Sequence, residues 1–232
     1  MPVIVFASPK GGAGKTTAAV VLASEIARKG AAVIMVDGDP RKRVTRWAAK
    51  GGVPENLTVV SQVSEETIID EIERHAQTAP FVIVDLEGTA SLMVAYAISR
   101  ADLVVVPSQG SQMDAEDAID AIRLVRKQER AFGRKIPFVV LLTKTSAAIR
   151  PRTLRHIVAQ LDEAGIPRLR TELIERDAFK AIFSFGGTLE DLDRSQVSGV
   201  KDAIANARAF AAEVVHRLRT GEGAPAVAGA AA

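Results

Sequence analysis

A glycine-rich segment near the start of the chain carries the strongest chemical signal in the sequence. It reads Lys10-Gly11-Gly12-Ala13-Gly14-Lys15-Thr16-Thr17 and follows an apolar run at Val3–Phe6. Glycines let backbone amides approach a bound group closely, and successive N–H groups at the start of a helix attract phosphate. In such a loop Lys15 reaches the β- and γ-phosphates of a nucleotide, and the hydroxyl of Thr16 binds Mg²⁺. The segment therefore predicts a nucleoside triphosphate site.

Acidic residues follow two further apolar runs. Asp37-Gly38-Asp39-Pro40-Arg41 comes after Ala32–Val36, and Asp85 comes after Phe81–Val84. At the carboxyl ends of parallel strands these carboxylates would lie beside the glycine-rich loop. An apolar strand that ends in Asp is typical of an acid that holds a Mg²⁺-bound water. We expect Thr16, Asp39 and Asp85 to form the metal site, although an Asp-Pro turn that only caps the next helix would also explain Asp39.

The elements that position these residues alternate along the chain. Short runs rich in Val and Ile predict six buried strands: Val3–Phe6, Ala32–Val36, Leu57–Val60, Phe81–Val84, Leu103–Val106 and Phe138–Leu142. Amphipathic stretches predict seven helices: Lys15–Lys29, Arg41–Lys50, Glu65–Thr78, Leu92–Arg100, Asp114–Phe132, Thr153–Ala164 and Val200–Leu218. This alternation favours an α/β fold, a doubly wound and mostly parallel sheet with helices on both faces. We expect one domain over residues 1–219 and a disordered tail over residues 220–232.

Composition excludes several classes of protein. The 232 residues include no cysteine, which excludes disulfides, thiolate metal sites and iron–sulfur clusters. The formal net charge is only +2, so any contact with nucleic acid must come from local patches. Apolar runs stay well short of the roughly 20 residues of a membrane span, and the chain begins without a basic leader. These features favour a cytoplasmic protein.

The pattern Lys-Gly-Gly-x-Gly-Lys-Thr-Thr resembles the deviant Walker A motif of the ParA/MinD ATPases, in which Lys10 matches the signature lysine. The resemblance runs from Val3 to about Leu218. It implies ATP and Mg²⁺ as cofactors and a homodimer that encloses two ATP molecules. It also implies that Lys10 and Lys15 act in catalysis, Lys10 by reaching the phosphates of the partner subunit. Asp39 would orient the attacking water, and Asp37 would support the metal shell.

Other segments match this family less closely. ParA proteins usually continue Asp-x-Pro-Pro after the second acid, whereas this chain reads Asp85-Leu86-Glu87-Gly88-Thr89-Ala90. Gly88 can still offer its N–H to the γ-phosphate, while Glu87 is either a surface acid or a group that tunes the water or metal. The segment from Val106 to Asp114 resembles the family's loop at the dimer interface. The resemblance places Thr143 and Lys144, and more loosely residues 173–179, beside the adenine.

The resemblance thus gives a full set of nucleotide ligands: Lys10, Gly11, Gly12, Ala13, Gly14, Lys15, Thr16, Thr17, Asp37, Asp85, Thr143 and Lys144. Two parts of the sequence also resemble the ParA-type accessory ATPase of conjugative virulence systems. They are Asp-Pro-Arg with Arg46-Trp47, and Glu175-Arg176-Asp177-Ala178-Phe179.

Basic residues cluster in three places. The groups are Arg41, Lys42, Arg43, Arg46 and Lys50; Arg150, Arg152 and Arg155; and Arg208, Arg217 and Arg219. Such groups bind duplex DNA through counterion release without reading its sequence, although a solvated charged face is the alternative for each. Because family members use C-terminal basic residues, we expect DNA contacts from Arg152, Arg155, Arg208, Arg217 and Arg219. The last helix is rich in alanine where a membrane anchor would carry bulky apolar residues, so we expect no membrane contact.

The leading hypothesis is a small ParA-like ATPase, without operator-specific repression, whose ATP-bound dimer binds DNA non-specifically and positions a plasmid, chromosome or other cargo. A ParB-like partner would stimulate hydrolysis, and the protein would associate with the nucleoid. Two alternatives remain open at this point. One is a metabolic P-loop enzyme of the dethiobiotin-synthetase type, which activates a small substrate with ATP. The other is a MinD-like ATPase that positions its cargo at a membrane.

Overall fold

A computed structural model describes residues 1–88 and 91–221 of the chain. Its centre is a seven-stranded sheet in the order β3-β2-β4-β1-β5-β6-β7, and every strand pair is parallel. The strands are β1 (Val3–Phe6), β2 (Val33–Gly38), β3 (Leu57–Val60), β4 (Phe81–Leu86), β5 (Leu103–Ser108), β6 (Phe138–Thr145) and β7 (Leu173–Ile174). The predicted α/β class and parallel sheet are confirmed.

Helices cover both faces of this sheet. They are α1 (Lys15–Arg28), α2 (Arg43–Ala48), α3 (Ile68–Thr78), α4 (Leu92–Arg100), α5 (Gln112–Phe132), α6 (Arg152–Glu163), α7 (Asp177–Phe185) and α8 (Val200–Thr220). Apolar side chains of α1, α2, α7 and α8 join the core on one face, and those of α3, α4, α5 and α6 join the core on the other. The sheet is therefore doubly wound, as predicted.

Strand β1 shows how the sequence builds these two cores. Successive side chains of a strand point to opposite faces, so Ile4 and Phe6 enter one core while Val3 and Val5 enter the other. All four are buried. A strand covered on both faces needs apolar residues at every position, which explains the continuous Val/Ile runs.

Three short elements were absent from the prediction: β7, α7 and a 3₁₀ turn at Leu189–Asp191. Strand β7 is only two residues long, too short for a periodic signal. Helix α2 begins at Arg43 rather than Arg41, because the carboxylate of Asp39 accepts a hydrogen bond from the amide of Arg41 (2.8 Å) and Lys42 adopts a left-handed φ of 48°.

The far end of α2 is fixed by Trp47. This residue is 1% exposed, and its indole N–H donates to the carbonyl of Gly187 at 2.9 Å.

In the part of the chain that the structure describes, every helix is too short or too polar to cross a membrane. Most of the predicted disordered tail, residues 222–232, lies outside the described residues, and Thr220 is the last residue of α8.

Candidate nucleotide-binding site

The order of the central strands brings the predicted site residues together. Strand β4 lies between β2 and β1, so Asp37 pairs in register with Asp85, which in turn is opposite Phe6 at the end of β1. The glycine-rich loop leaves β1 at this same edge. Three segments that are up to 75 residues apart in the chain therefore share one corner of the sheet, as the sequence predicted.

The glycine-rich loop has the backbone shape that its glycines suggest. Gly12 and Gly14 have positive φ values of 83° and 93°, a region that residues with a side chain rarely adopt. Gly88 approaches the loop so closely that a Cβ atom there would lie 3.0 Å from the backbone of Lys10 and Gly11. The segment after β4 thus packs directly against the loop, and the close contact explains why a glycine is needed.

The ammonium of Lys15 lies inside the loop. It donates to the carbonyl oxygens of Ser8 at 3.2 Å and of Lys10 at 3.0 Å, and the residue is 7% exposed. Burial lowers the pKa of Lys15, while the carboxylates of Asp85 and Asp39 oppose that change. A buried cation enclosed by backbone groups is suited to a ligand with several negative charges.

Asp85 is the most unusual acid in the site. It is completely buried, and neither of its oxygens makes a hydrogen bond of standard geometry among the residues described, although the hydroxyl of Thr16 lies nearby. Burial raises its pKa to about 7, an effect that the hydroxyl of Thr16 opposes and the charge of Asp37 strengthens. A buried carboxylate without a standard hydrogen bond is a strong reason to expect a cation there.

The donor set fits Mg²⁺ better than a transition metal. Across residues 1–88 and 91–221, no three His, Cys, Asp or Glu side chains cluster as a metal site of their own. Mg²⁺ commonly binds through one or two protein oxygens and completes its shell with phosphate and water. Thr16 and Asp85 supply such oxygens at the loop.

Asp37 and Asp39, the other two acids of the site, have different hydrogen-bond partners. Asp37 is fully buried and accepts hydrogen bonds from the backbone N–H and the hydroxyl of Thr45, at 2.8 and 2.7 Å. Both bonds fix the start of α2. Asp39 lines the cleft over the loop, with one carboxylate oxygen turned to the amide of Arg41. Asp39 is therefore the acid better placed to meet a bound water.

A cleft of about 510 Å³ lies over the loop and collects most of the predicted ligands. Its lining includes Gly11, Gly12, Gly14, Lys15, Thr16, Thr17, Asp39, Gly88 and Lys144. Charged residues to which the sequence assigned no nucleotide role, or only an open one, also line it: Arg41, Arg43, Glu87 and Lys180. Glu87, which the sequence leaves as either a surface acid or a group that tunes the water or metal, is partly buried in this cleft.

A smaller cleft continues from the loop toward β7 and α7. Its lining includes Thr143, Lys144 and residues 173–176, with Phe179. The hydroxyl of Thr143 donates to the carbonyl of Ala13 at 2.8 Å, and the ammonium of Lys144 donates to Gly12 at 2.8 Å. Lys144 has a left-handed φ of 53°, a strained backbone that is often found at functional sites. The structure thus brings both predicted base-side segments to the loop.

Lys10 points away from these clefts. Its ammonium lies 2.6 Å from a carboxylate oxygen of Asp114 at the start of α5, and this ion pair raises the pKa of Lys10. Burial raises the pKa of Asp114, but Lys10 and the hydroxyl of Ser111 lower it overall. The two lysines of the loop therefore face different surroundings.

The predicted DNA-binding arginines also divide. Arg152, Arg155 and Arg219 are exposed. Arg208 is also exposed but pairs with Glu190, whereas Arg217 donates to the carbonyl of Arg168 at 2.9 Å with a side chain only 14% exposed. Identical residue types thus leave very different amounts of charge available.

Comparison with known proteins gives this arrangement its family. The model of the VirC1 protein family matches residues 1–218. The chain is also 45% identical over 218 residues to a protein named ParA from Rhizobium radiobacter, covering 94% of this chain and 98% of that relative. The chain belongs to the VirC1 family.

Membership confirms the predicted resemblance to the ParA/MinD-type P-loop ATPases, including the likeness to the conjugative virulence accessory ATPase. Solved structures agree on the fold. A Cyanothece McdA variant in complex with ATP superposes with a TM-score of 0.74 at 15% identity, covering 93% of this chain and 96% of that one. A cobyrinic acid a,c-diamide synthase from Mycobacterium smegmatis, bound to an ATP analogue and magnesium, gives 0.70 at 14% identity, covering 97% and 98%. Because an McdA protein and a cobyrinic acid a,c-diamide synthase share this fold, the fold alone does not decide the function.

Proposed function

We propose that this VirC1-family chain is an ATPase whose ATP-bound dimer binds duplex DNA non-specifically and positions a plasmid, chromosome or other cargo. Residues 1–219 act as one domain, and the protein works in the cytoplasm in association with the nucleoid. A ParB-like protein stimulates hydrolysis. The 45% identity to a protein named ParA supports the assignment to partition.

The main support for a dimer is that the two lysines of the glycine-rich loop point to different surroundings. Lys15 lies in the cleft of its own chain, whereas Lys10 does not line that cleft within the described residues and instead reaches α5. An ammonium at the mouth of a phosphate loop but outside its own cleft suits the phosphates of a facing copy. A cation supplied in this way stabilises the charge that develops on the transferred phosphoryl group.

Exposed apolar side chains at the same edge support a facing copy. Leu92, Met113 and Ile149 are 58%, 71% and 68% exposed. They follow the carboxyl ends of β4, β5 and β6, the edge where the cleft opens. Burial of these side chains against a second subunit would add a hydrophobic contribution to dimerisation.

The site residues also support hydrolysis. Mg²⁺ held by Thr16 and Asp85 supplies positive charge to the phosphate oxygens when it is bound. Lys15 holds the phosphates, and Asp39 orients a water whose oxygen attacks the terminal phosphorus. The bond to ADP breaks as the new bond forms. The attacking water keeps one proton on the phosphate and releases the other to solvent, so the products are ADP, inorganic phosphate and a proton.

DNA binding rests on the exposed arginines of α6. Arg152 and Arg155 have no ion-pair partner among residues 1–88 and 91–221, and α6 begins after β6, near the proposed dimer edge. Two copies would therefore bring four such side chains to one side of the dimer. With a net charge of only +2 per chain, this summation gives DNA affinity that depends on ATP.

Retention on random duplex DNA tests the proposal. The protein is measured with ATP, with ADP and without nucleotide, while light scattering records its oligomeric state. We expect dimers and DNA retention with ATP alone, and Lys10→Ala should bind nucleotide but stay monomeric. Equal retention in all three states, or ATP turnover that requires a small carboxylic acid, would favour a metabolic enzyme instead. Co-sedimentation with liposomes in ATP would favour the MinD-like alternative.

A further inference from the structure

The acid-free basic run around α2 does not form one surface. Three of its five members bind carbonyl oxygens of the chain itself. Lys42 donates to Asp37 and Ser61, Arg46 donates to Arg41, and Lys50 donates to Ser184. These bonds hold the loop after β2 and both ends of α2 in place, so three of the charges serve the local fold.

The remaining two members, Arg41 and Arg43, line the cleft over the phosphate loop. Arg41 is exposed, whereas Arg43 is partly buried. The guanidinium of Arg43 has no hydrogen-bond or ion-pair partner in the described part of the chain. Two other cations of this cleft differ in that respect, because Lys144 donates to the carbonyl of Gly12 and Lys180 pairs with Glu175.

Arg43 and the phosphate-binding Lys15 line the same cleft. Two cations that face one cleft repel each other, and an anion between them relieves that repulsion. A guanidinium presents paired N–H groups that match the geometry of phosphate oxygens.

We propose that Arg43 binds the terminal phosphate of the nucleotide in its own subunit and makes the site prefer a triphosphate over a diphosphate. The inference rests on the nucleotide site of the proposed function and adds a second contact within one chain to that of Lys15. It differs from the role of Lys10, which acts on the partner subunit. Because α2 continues from Arg43 to the buried Trp47, occupation of this contact also fixes the position of α2.

Calorimetric titration with a non-hydrolysable ATP analogue and with ADP, both with Mg²⁺, tests this assignment. The measurements use a Lys10→Ala parent whose monomeric state is confirmed by light scattering, so that dimerisation does not contribute to affinity. The variants are Arg43→Ala, Arg43→Gln, which keeps much of the side-chain length, and Arg43→Lys. Lys29→Ala is the control, since Lys29 is an exposed cation outside the cleft.

We expect Arg43→Ala and Arg43→Gln to weaken the ATP analogue about ten- to hundredfold, with ADP affinity changed less than about threefold. Arg43→Lys should fall between, because it keeps the charge and loses the paired donors. Equal losses for both nucleotides, no loss for either, or a similar effect of Lys29→Ala would overturn the inference. Failure of the parent itself to bind either nucleotide would instead overturn the proposed nucleotide site.

Discussion

The nucleotide edge of the sheet and the outer helices α6 and α8 both carry many charged side chains, but the surroundings of these side chains differ between the two regions. At the edge, Lys15 and Asp85 are buried, and neither oxygen of Asp85 makes a hydrogen bond of standard geometry in the described structure. On the outer helices, charges are exposed, either without a partner among the described residues, as at Arg155, or in a surface ion pair, as at Arg208. Burial of charged groups at the edge costs free energy that a bound ligand can offset. Single substitutions there should therefore have large effects on ligand binding or stability. The outer helices should respond weakly to each change.

The largest effect is expected from Lys15→Ala. Removal of a buried ammonium that faces the phosphates should weaken ATP binding about a thousandfold. Titration with a fluorescent ATP analogue measures this loss. Lys29→Ala, at the exposed residue directly after the same helix, is the control and should bind normally. Undiminished affinity in Lys15→Ala would remove the contrast between the two regions.

Asp85→Asn should change stability and pH dependence in the protein without ligand. Because folding raises the pKa of Asp85 from 3.8 to about 7, the folded state binds a proton more tightly than the unfolded state. The free energy of unfolding therefore falls as pH rises from about 4 to 7. Asparagine has no charge to bury, so the free energy of unfolding of the variant should exceed that of the parent by up to about 4 kcal/mol at pH 8.

Urea denaturation at pH 4 and pH 8 measures this effect, and the two proteins should differ little at pH 4. The same variant should lose the Mg²⁺ dependence of nucleotide binding. A variant that is less stable than the parent at pH 8 would show that Asp85 has an unrecognised partner.

Asp39→Asn separates the catalytic role of this residue from its structural one. The amide oxygen can still accept the hydrogen bond from the backbone N–H of Arg41, so the turn should be kept. The loss of the carboxylate should slow phosphate release about a hundredfold while ATP stays bound, which would accumulate the ATP-bound dimer. Fast turnover by this variant would assign the water to another group, and Glu87 lines the same cleft.

The smallest effect is expected on the outer helices. The double change Arg152→Ala and Arg155→Ala should lower DNA affinity in ATP about threefold to tenfold and reduce its dependence on salt. Arg208→Ala should affect DNA binding less, because Arg208 already pairs with Glu190. A salt titration of DNA binding compares the two. If Arg208→Ala has the larger effect, the distinction between α6 and α8 is wrong.

Much of this edge could be predicted from the sequence, because its signals are local. The glycine-rich loop directly follows a strand, and Asp37, Asp39 and Asp85 lie at strand ends, where the parallel order of β1, β2 and β4 brings them together. Glycine conformation and apolar runs depend on neighbouring residues in the chain, so spacing alone reveals them.

The remaining features depend on contacts between distant segments. The pairing of Arg208 with Glu190 and the bond from Arg217 to the carbonyl of Arg168 become visible only once α8 packs against the chain. The division of the basic run at α2 depends on a left-handed Lys42 and on carbonyl groups of other loops. Charge patterns in a sequence record how many cations are present, and three-dimensional packing decides which of them are free.

The buried Trp47 gives the molecule a built-in optical reporter. It is the only tryptophan of the chain and lies one helical turn after Arg43 on α2. Its indole N–H donates to the carbonyl of Gly187. A ligand that draws Arg43 inward would shift the indole relative to that carbonyl and change its emission. Unlabelled protein would then reveal by fluorescence when the cleft fills, and on what timescale.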